Sequence, residues 1–167
     1  PRHSHRELSM PRPITHITLS RYARDHMTPL PDTVTRTLVQ ASDPLMELPT
    51  QTVLREIVES VKPDMPHADD YTENGKFDCD DFAYAFKGLA TRWYQENRPA
   101  LLPMAIGVSW GQFQFFGDGQ YHALNWVFLA DDQKLYWIEP QFLRSKPFED
   151  SLARFSKSRD RVNLLIV

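Results

Sequence analysis

The chain has 167 residues, 41% of them hydrophobic and 25% charged, which is the balance of a single globular domain and excludes disorder as its main state. A net charge of −3 argues against nucleic acid as a partner, and no apolar run reaches the ~20 residues of a membrane span. The single cysteine, Cys79, excludes a disulfide framework and a multi-cysteine zinc site.

No basic-apolar-small leader opens the sequence, so the cytoplasm is the default compartment. Residues 1–31 are punctuated by Pro1, Pro11, Pro13, Pro29 and Pro31 and predict an extended arm, which leaves 32–167 as one domain. Asp32 as N-cap, with Val34, Leu38 and Ala41 on one face, predicts a helix over 32–41 stopped by Asp43-Pro44. A second helix, 50–61, has the stripe Val53, Leu54, Ile57, Val58 and Val61. Residues 64–81 are an acidic loop: solvated, or a site for a hard cation. A third helix, 80–96, follows, with Phe82, Phe86, Leu89 and Trp93 at helical spacing and Asp78 as its cap.

The pattern then turns to strands. Met104, Ile106, Val108 and Trp110 alternate, Phe113 to Phe116 form a short second run, and 122–130 is mostly apolar. Asp131-Asp132-Gln133 turns the chain into 135–139. A late helix over 147–155 and a terminal strand over 162–167 complete the reading. The class is α+β, with N-terminal helices packed on an antiparallel sheet.

Cys79 falls in the first turn of the third helix, where unpaired backbone N–H groups favour an anion. A nucleophilic thiolate is well placed there; an inert core cysteine is the alternative. Asp78, Asp80 and Asp81 crowd the thiol with like charge, unless their side chains turn away or a calcium ion neutralises them. Of the six histidines, His122 alone opens an apolar strand. Glu139 ends the strand that returns towards it. An even hairpin loop places His122, Leu124 and Trp126 on the face of Glu139 and Gln141, so the carboxylate can orient the imidazole.

Cysteine at a helix start, His-Ala-x-x-x-Val on a strand and an acid on the next strand resemble the papain-like and transglutaminase-like cysteine peptidase superfamily. The stretch Phe77-Asp78-Cys79-Asp80-Asp81-Phe82-Ala83 is similar to two branches. One is the calcium-dependent cysteine protease domain at the C-terminus of a fairy-ring mushroom agglutinin; the other is the bacterial transglutaminase-like cysteine peptidases. The spacings, 43 residues from Cys79 to His122 and 17 to Glu139, are nearly those of the first branch. The resemblance spans roughly residues 74–141 and implies that fold, with Cys79 as nucleophile, His122 as base and then acid, and Glu139 as orienter. It implies calcium at Asp78, Asp80 and Asp81, and a peptide or protein substrate. Asn74, Gln141 and Trp110 are oxyanion or pocket candidates, and Phe113, Phe115, Phe116 and Tyr121 form an aromatic wall or a strand-face core.

Three functions follow. The first is a thiol-dependent acyl-transfer hydrolase, namely a calcium-dependent cysteine protease. The second is a transglutaminase, deamidase or amidase with the same triad. The third is a non-enzymatic, calcium-stabilised binding module.

Overall fold

We describe the protein from a computed structural model, over residues 13–72, 76–98, 102–115 and 120–167. The N-terminal segment predicted as an arm forms strand β1 (Pro13–Thr15) and helix α1 (His16–His26). Thr15 caps α1 by accepting the Thr18 amide at 3.0 Å, and Leu19 and Ala23 bury the inner face. The helix predicted over 32–41 does not form. Asp32 adopts a φ of 63°, the left-handed region, and so cannot act as an extended N-cap. Leu38–Gln40 is instead strand β2.

Strand β3 (Leu45–Glu47) pairs with β1. Helix α2 (Gln51–Val61) starts at the cap Thr50, which accepts the Val53 amide, and buries Leu54, Ile57, Val58 and Val61. Helix α3 (Cys79–Asn97) is capped by Asp78. Strands β4 (Ile106–Gln112), β5 (Tyr121–Phe128) and β6 (Leu135–Ile138) follow as a meander. The late helix is replaced by a 3-10 turn, Phe148–Ser151, and strand β7 (Leu152–Arg154); β8 (Arg161–Ile166) closes the chain.

The large sheet has the order β2-β8-β4-β5-β6-β7. It is not wholly antiparallel as expected, because β2 joins β8 in parallel. Nor are the helices gathered on one side. Alternation along β5 sends Trp126 to a cluster with Leu19 and Ala23 of α1. Its neighbour Val127 goes to a second cluster with Leu54 and Ile57 of α2 and Phe86 and Ala90 of α3. The sheet is therefore the middle of three layers. Gly107 is required where β4 runs between β8 and β5: a Cβ there would lie 1.8 Å from the Ile166 carbonyl oxygen and 2.4 Å from Trp126 Nε1. Those two atoms hydrogen-bond to each other at 3.1 Å across the glycine.

Candidate functional site

Asp78 and Asp81 form a capping box: each carboxylate accepts the other's backbone N–H, with Asp81 Oδ2 taking the Asp78 amide at 3.0 Å. This fixes Cys79 as the first residue of α3. Its half-buried sulfur accepts the Ala123 amide of β5 at 3.4 Å. The helix start and the strand start are thereby joined at the thiol.

The next residue back along β5, His122, meets Glu139. The β5–β6 ladder pairs Asn125 with Ile138 and Phe128 with Leu135, so the hairpin loop is even. Continuing that register puts Glu139 opposite Leu124 and diagonal to His122, as the pattern predicts. His122 Nε2 lies 2.7 Å from Glu139 Oε2. Glu139 is only 1% exposed, and its Oε1 accepts the Gln141 amide at 3.2 Å, so both carboxylate oxygens are engaged.

Burial works against a charged imidazole at His122. Hydrogen bonds to Cys79 and Glu139, with the negative charge of both, outweigh it and push the ring's pKa up to about 10. At neutral pH His122 is an imidazolium between a carboxylate and a sulfur. With Nε2 on Glu139, the other ring nitrogen is left to serve Cys79. Such a group can deliver a nucleophilic sulfur and then a proton.

The remaining candidates scatter. Asn74 and Phe116 lie outside the described residues. Gln141 lines a separate cleft of about 320 Å³ with His67, Asp69 and Arg144. Trp110 pairs with Ala123 in the ladder and packs its ring 5.9 Å from Tyr84 of α3. The aromatic wall divides: Phe113 is core, packed 4.7 Å from Trp137, whereas Phe115 and Tyr121 are exposed.

Ligand atoms of Asp78, Cys79 and Asp80 lie within 4.8 Å of one another. The Asp80 carboxyl is raised to about 6, first by a hydrogen bond with Asp78, then by partial burial and the Asp78 charge. Asp81 does not join this group; its carboxylate faces the Asp78 amide.

Asn125 was not singled out by the sequence. It is fully buried, and its Nδ2 donates to Ala83 O of α3 at 2.8 Å and to Gly107 O of β4 at 3.1 Å. It ties the helix that carries Cys79 to the sheet that carries His122. The available signal was an amide inside the apolar run Ala-Leu-Asn-Trp-Val.

The family model of the ricin-type beta-trefoil lectin C-terminal domain matches residues 30–153. The chain belongs to this family. Two solved structures share its fold. One, titled "PSL1a-E64 complex", has a TM-score of 0.63 at 19% identity, over 93% of this chain and 50% of the other. The second is a Polyporus squamosus lectin bound to the human-type influenza-binding epitope Neu5Aca2-6Galb1-4GlcNAc. It has a TM-score of 0.59 at 20% identity, over 93% of this chain and 49% of the other. The chain thus spans about half the length of the structures it matches. No curated protein matches it as a relative.

These findings correct the resemblance drawn from the sequence. They place the chain among lectin C-terminal domains and not in the papain-like or transglutaminase-like peptidase superfamily. The papain-like fold class, the assignment as a cysteine protease and thiol hydrolase, and the peptide substrate are withdrawn with it. The physical reason is that a cysteine on a helix, a histidine on a strand and an acid on a hairpin form a local constellation. Such constellations recur on different folds and do not specify family or function by themselves. Among the described residues no helix is long and apolar enough to cross a membrane.

Proposed function

We propose that this chain is the C-terminal domain of a glycan-binding lectin, and that Cys79, His122 and Glu139 form a reactive thiol site within it. The observation that carries the thiol site is the 2.7 Å contact of His122 Nε2 with buried Glu139, which leaves the other ring nitrogen for Cys79. A sulfur held by an imidazolium is a nucleophile towards electrophilic carbon. The neighbour in complex with E64 supports this reading, and the neighbour bound to a sialylated epitope supports the lectin half. A β-trefoil is built from three repeated units, whereas the described residues form one six-stranded mixed sheet between helices and a two-stranded one. Sugar recognition therefore falls to the trefoil that the family description names, and the thiol to this domain.

The test is incubation of the folded protein with E64, read by intact mass and peptide mapping. One adduct on Cys79 is expected, absent in Cys79→Ala and at least tenfold slower in His122→Ala. An unmodified Cys79 in folded protein, or an unchanged rate in His122→Ala, refutes the thiol site. For the lectin half, the protein carrying both domains should be retained on the immobilised sialylated trisaccharide. Failure of retention there and on a panel of other glycans refutes it, and retention of this domain alone moves the sugar site here.

Calcium belongs to the same proposal, held at the start of α3 by its cap Asp78 and by Asp80 in its first turn. Two carboxylates at this separation are hard oxygen donors suited to calcium, and a cation would relieve the crowding that raises the Asp80 carboxyl. Sulfur is a poor calcium ligand, so Cys79 stays outside the set. Calcium should raise the melting temperature, and Asp80→Asn should abolish the increase; an equal increase in the variant overturns the site.

A further inference from the structure

The charge of the molecule is not evenly spread. Helix α1 turns Ile17, Ser20, Arg21 and Arg24 outward, at helical spacing on the face opposite Leu19 and Ala23. Beside that face runs the segment Arg36, Thr37, Leu38 and Val39, the outer edge of the large sheet. Between them is an open cleft of about 370 Å³. Among the described residues, three guanidinium groups and no acidic residue line it.

Asp25 pairs with Arg24 at 2.9 Å and also interacts electrostatically with His26 and Arg21. Lys157 donates to the Asp25 carbonyl at 3.3 Å and adds a further cation on that side. Among the described residues neither Arg21 nor Arg36 forms an ion pair. The Thr37 hydroxyl is buried and committed to the Val162 carbonyl, which holds the strand segment in place behind Arg36. Val167 N donates to Gln40 O, so Leu38 and Gln40 turn their backbone groups to β8. By strand alternation the Val39 N–H then faces the open edge, towards the cleft it lines.

We propose that this cleft binds a phosphate-type oxyanion, clamped by Arg21 and Arg36 with the Val39 amide as a further donor. Guanidinium forks match the oxygens of a tetrahedral oxyanion, and the gathered cations lose their mutual repulsion when one binds. Ile17 and Leu38, 58% and 46% exposed, border the cleft and suit a ligand with an apolar portion beside the charged group. A free phosphate ester and a phospholipid headgroup offer the same chemistry, and the experiment separates them. The site is remote from Cys79 in sequence and uses none of its residues, so this inference stands apart from the thiol reading.

The test uses inorganic phosphate, followed by chemical-shift titration, and vesicles of neutral lipid with and without phosphatidic acid, followed by co-sedimentation. Saturable phosphate binding that weakens at least tenfold in Arg21→Gln and in Arg36→Gln supports the site with a free ligand. Binding only to phosphatidic-acid vesicles, lost in the same variants, supports it with a headgroup. Asp25→Asn should strengthen binding, because it releases Arg24 from its partner. The control Arg92→Gln, on the exposed face of α3, should leave it unchanged. Equal weakening in that control, insensitivity to Arg21→Gln and Arg36→Gln, or no binding to either probe overturns the proposal.

Discussion

Glu139→Gln isolates one quantity, the charge behind His122. The amide oxygen can still accept from Nε2, so ring orientation is kept while the negative charge goes. In the native protein the ring is raised from 6.5 to about 10 against the opposing effect of burial. That difference corresponds to about 5 kcal/mol of preference for the imidazolium. An opposite charge in direct contact accounts for about 1 to 3 pH units of such a rise, or about 1.4–4 kcal/mol. His122 should therefore titrate at about 7–9 in the variant and near 10 in the native chain. The assay is an NMR titration of the imidazole carbons. Stability must move with it. A ring whose pKa is higher in the folded state stabilises the fold fully below the unfolded value of ~6.5. It loses that contribution as pH rises through about 10. Urea melts should show native stability falling between those limits, over a lower and narrower window in Glu139→Gln. A native His122 that titrates near 6.5, or an unchanged midpoint in the variant, refutes the reasoning.

Gly107→Ala places a methyl group 1.8 Å from a backbone oxygen and should cost at least about 3 kcal/mol in urea unfolding, since the Ile166 strand cannot yield cheaply. Asp160→Ala strips acceptors from Trp137 Nε1 at 2.9 Å and the Ser156 amide at 2.8 Å; a loss of about 3 kcal/mol is expected by the same measurement. Asp80→Asn, with chelator present, should raise the melting temperature at pH 7 and leave it unchanged near pH 3. The folded state resists ionising a carboxyl held near 6, so its destabilising effect grows as pH rises from the ordinary value of 3.8 and is complete above about 6.

The elements legible from sequence are those whose local signals and tertiary partners agree. Helix α2 begins one residue after Thr50 because the cap, the apolar stripe and the α3 surface ask for the same geometry. Helix α3 and the β5–β6 hairpin behave likewise, and with them came Cys79, His122 and Glu139, whose contact depends only on a cap, a strand start and an even loop. The misread segments are those where the partner decides. Residues 32–41 carry helical spacing, yet the parallel edge of β8 takes Leu38–Gln40 into the sheet. Helix α1 was hidden behind prolines at 11 and 13, although Thr15 offered a cap with no proline in the ten residues after it.

The same distinction explains why the contacts of Cys79, His122 and Glu139 were legible and the family was not. A thiol, an imidazole and a carboxylate within hydrogen-bond reach are set by a few local geometries, and they state what chemistry the atoms allow. Family is set over a longer stretch, residues 30–153, which takes in β2, β3 and α2 besides the elements that hold the site. Those three elements lie outside the stretch from 74 to 141 that carried the resemblance. The arginine cleft also lies outside that stretch, between α1 and β2. A reading confined to the reactive residues is therefore blind to it. If Arg21→Gln and Arg36→Gln weaken phosphate binding while the rate of Cys79 labelling is unchanged, the two ends of the fold carry separable functions. If both properties change together, the coupling can run through β8, β4 and β5, or directly from α1 to β5 through the cluster that Leu19 shares with Trp126.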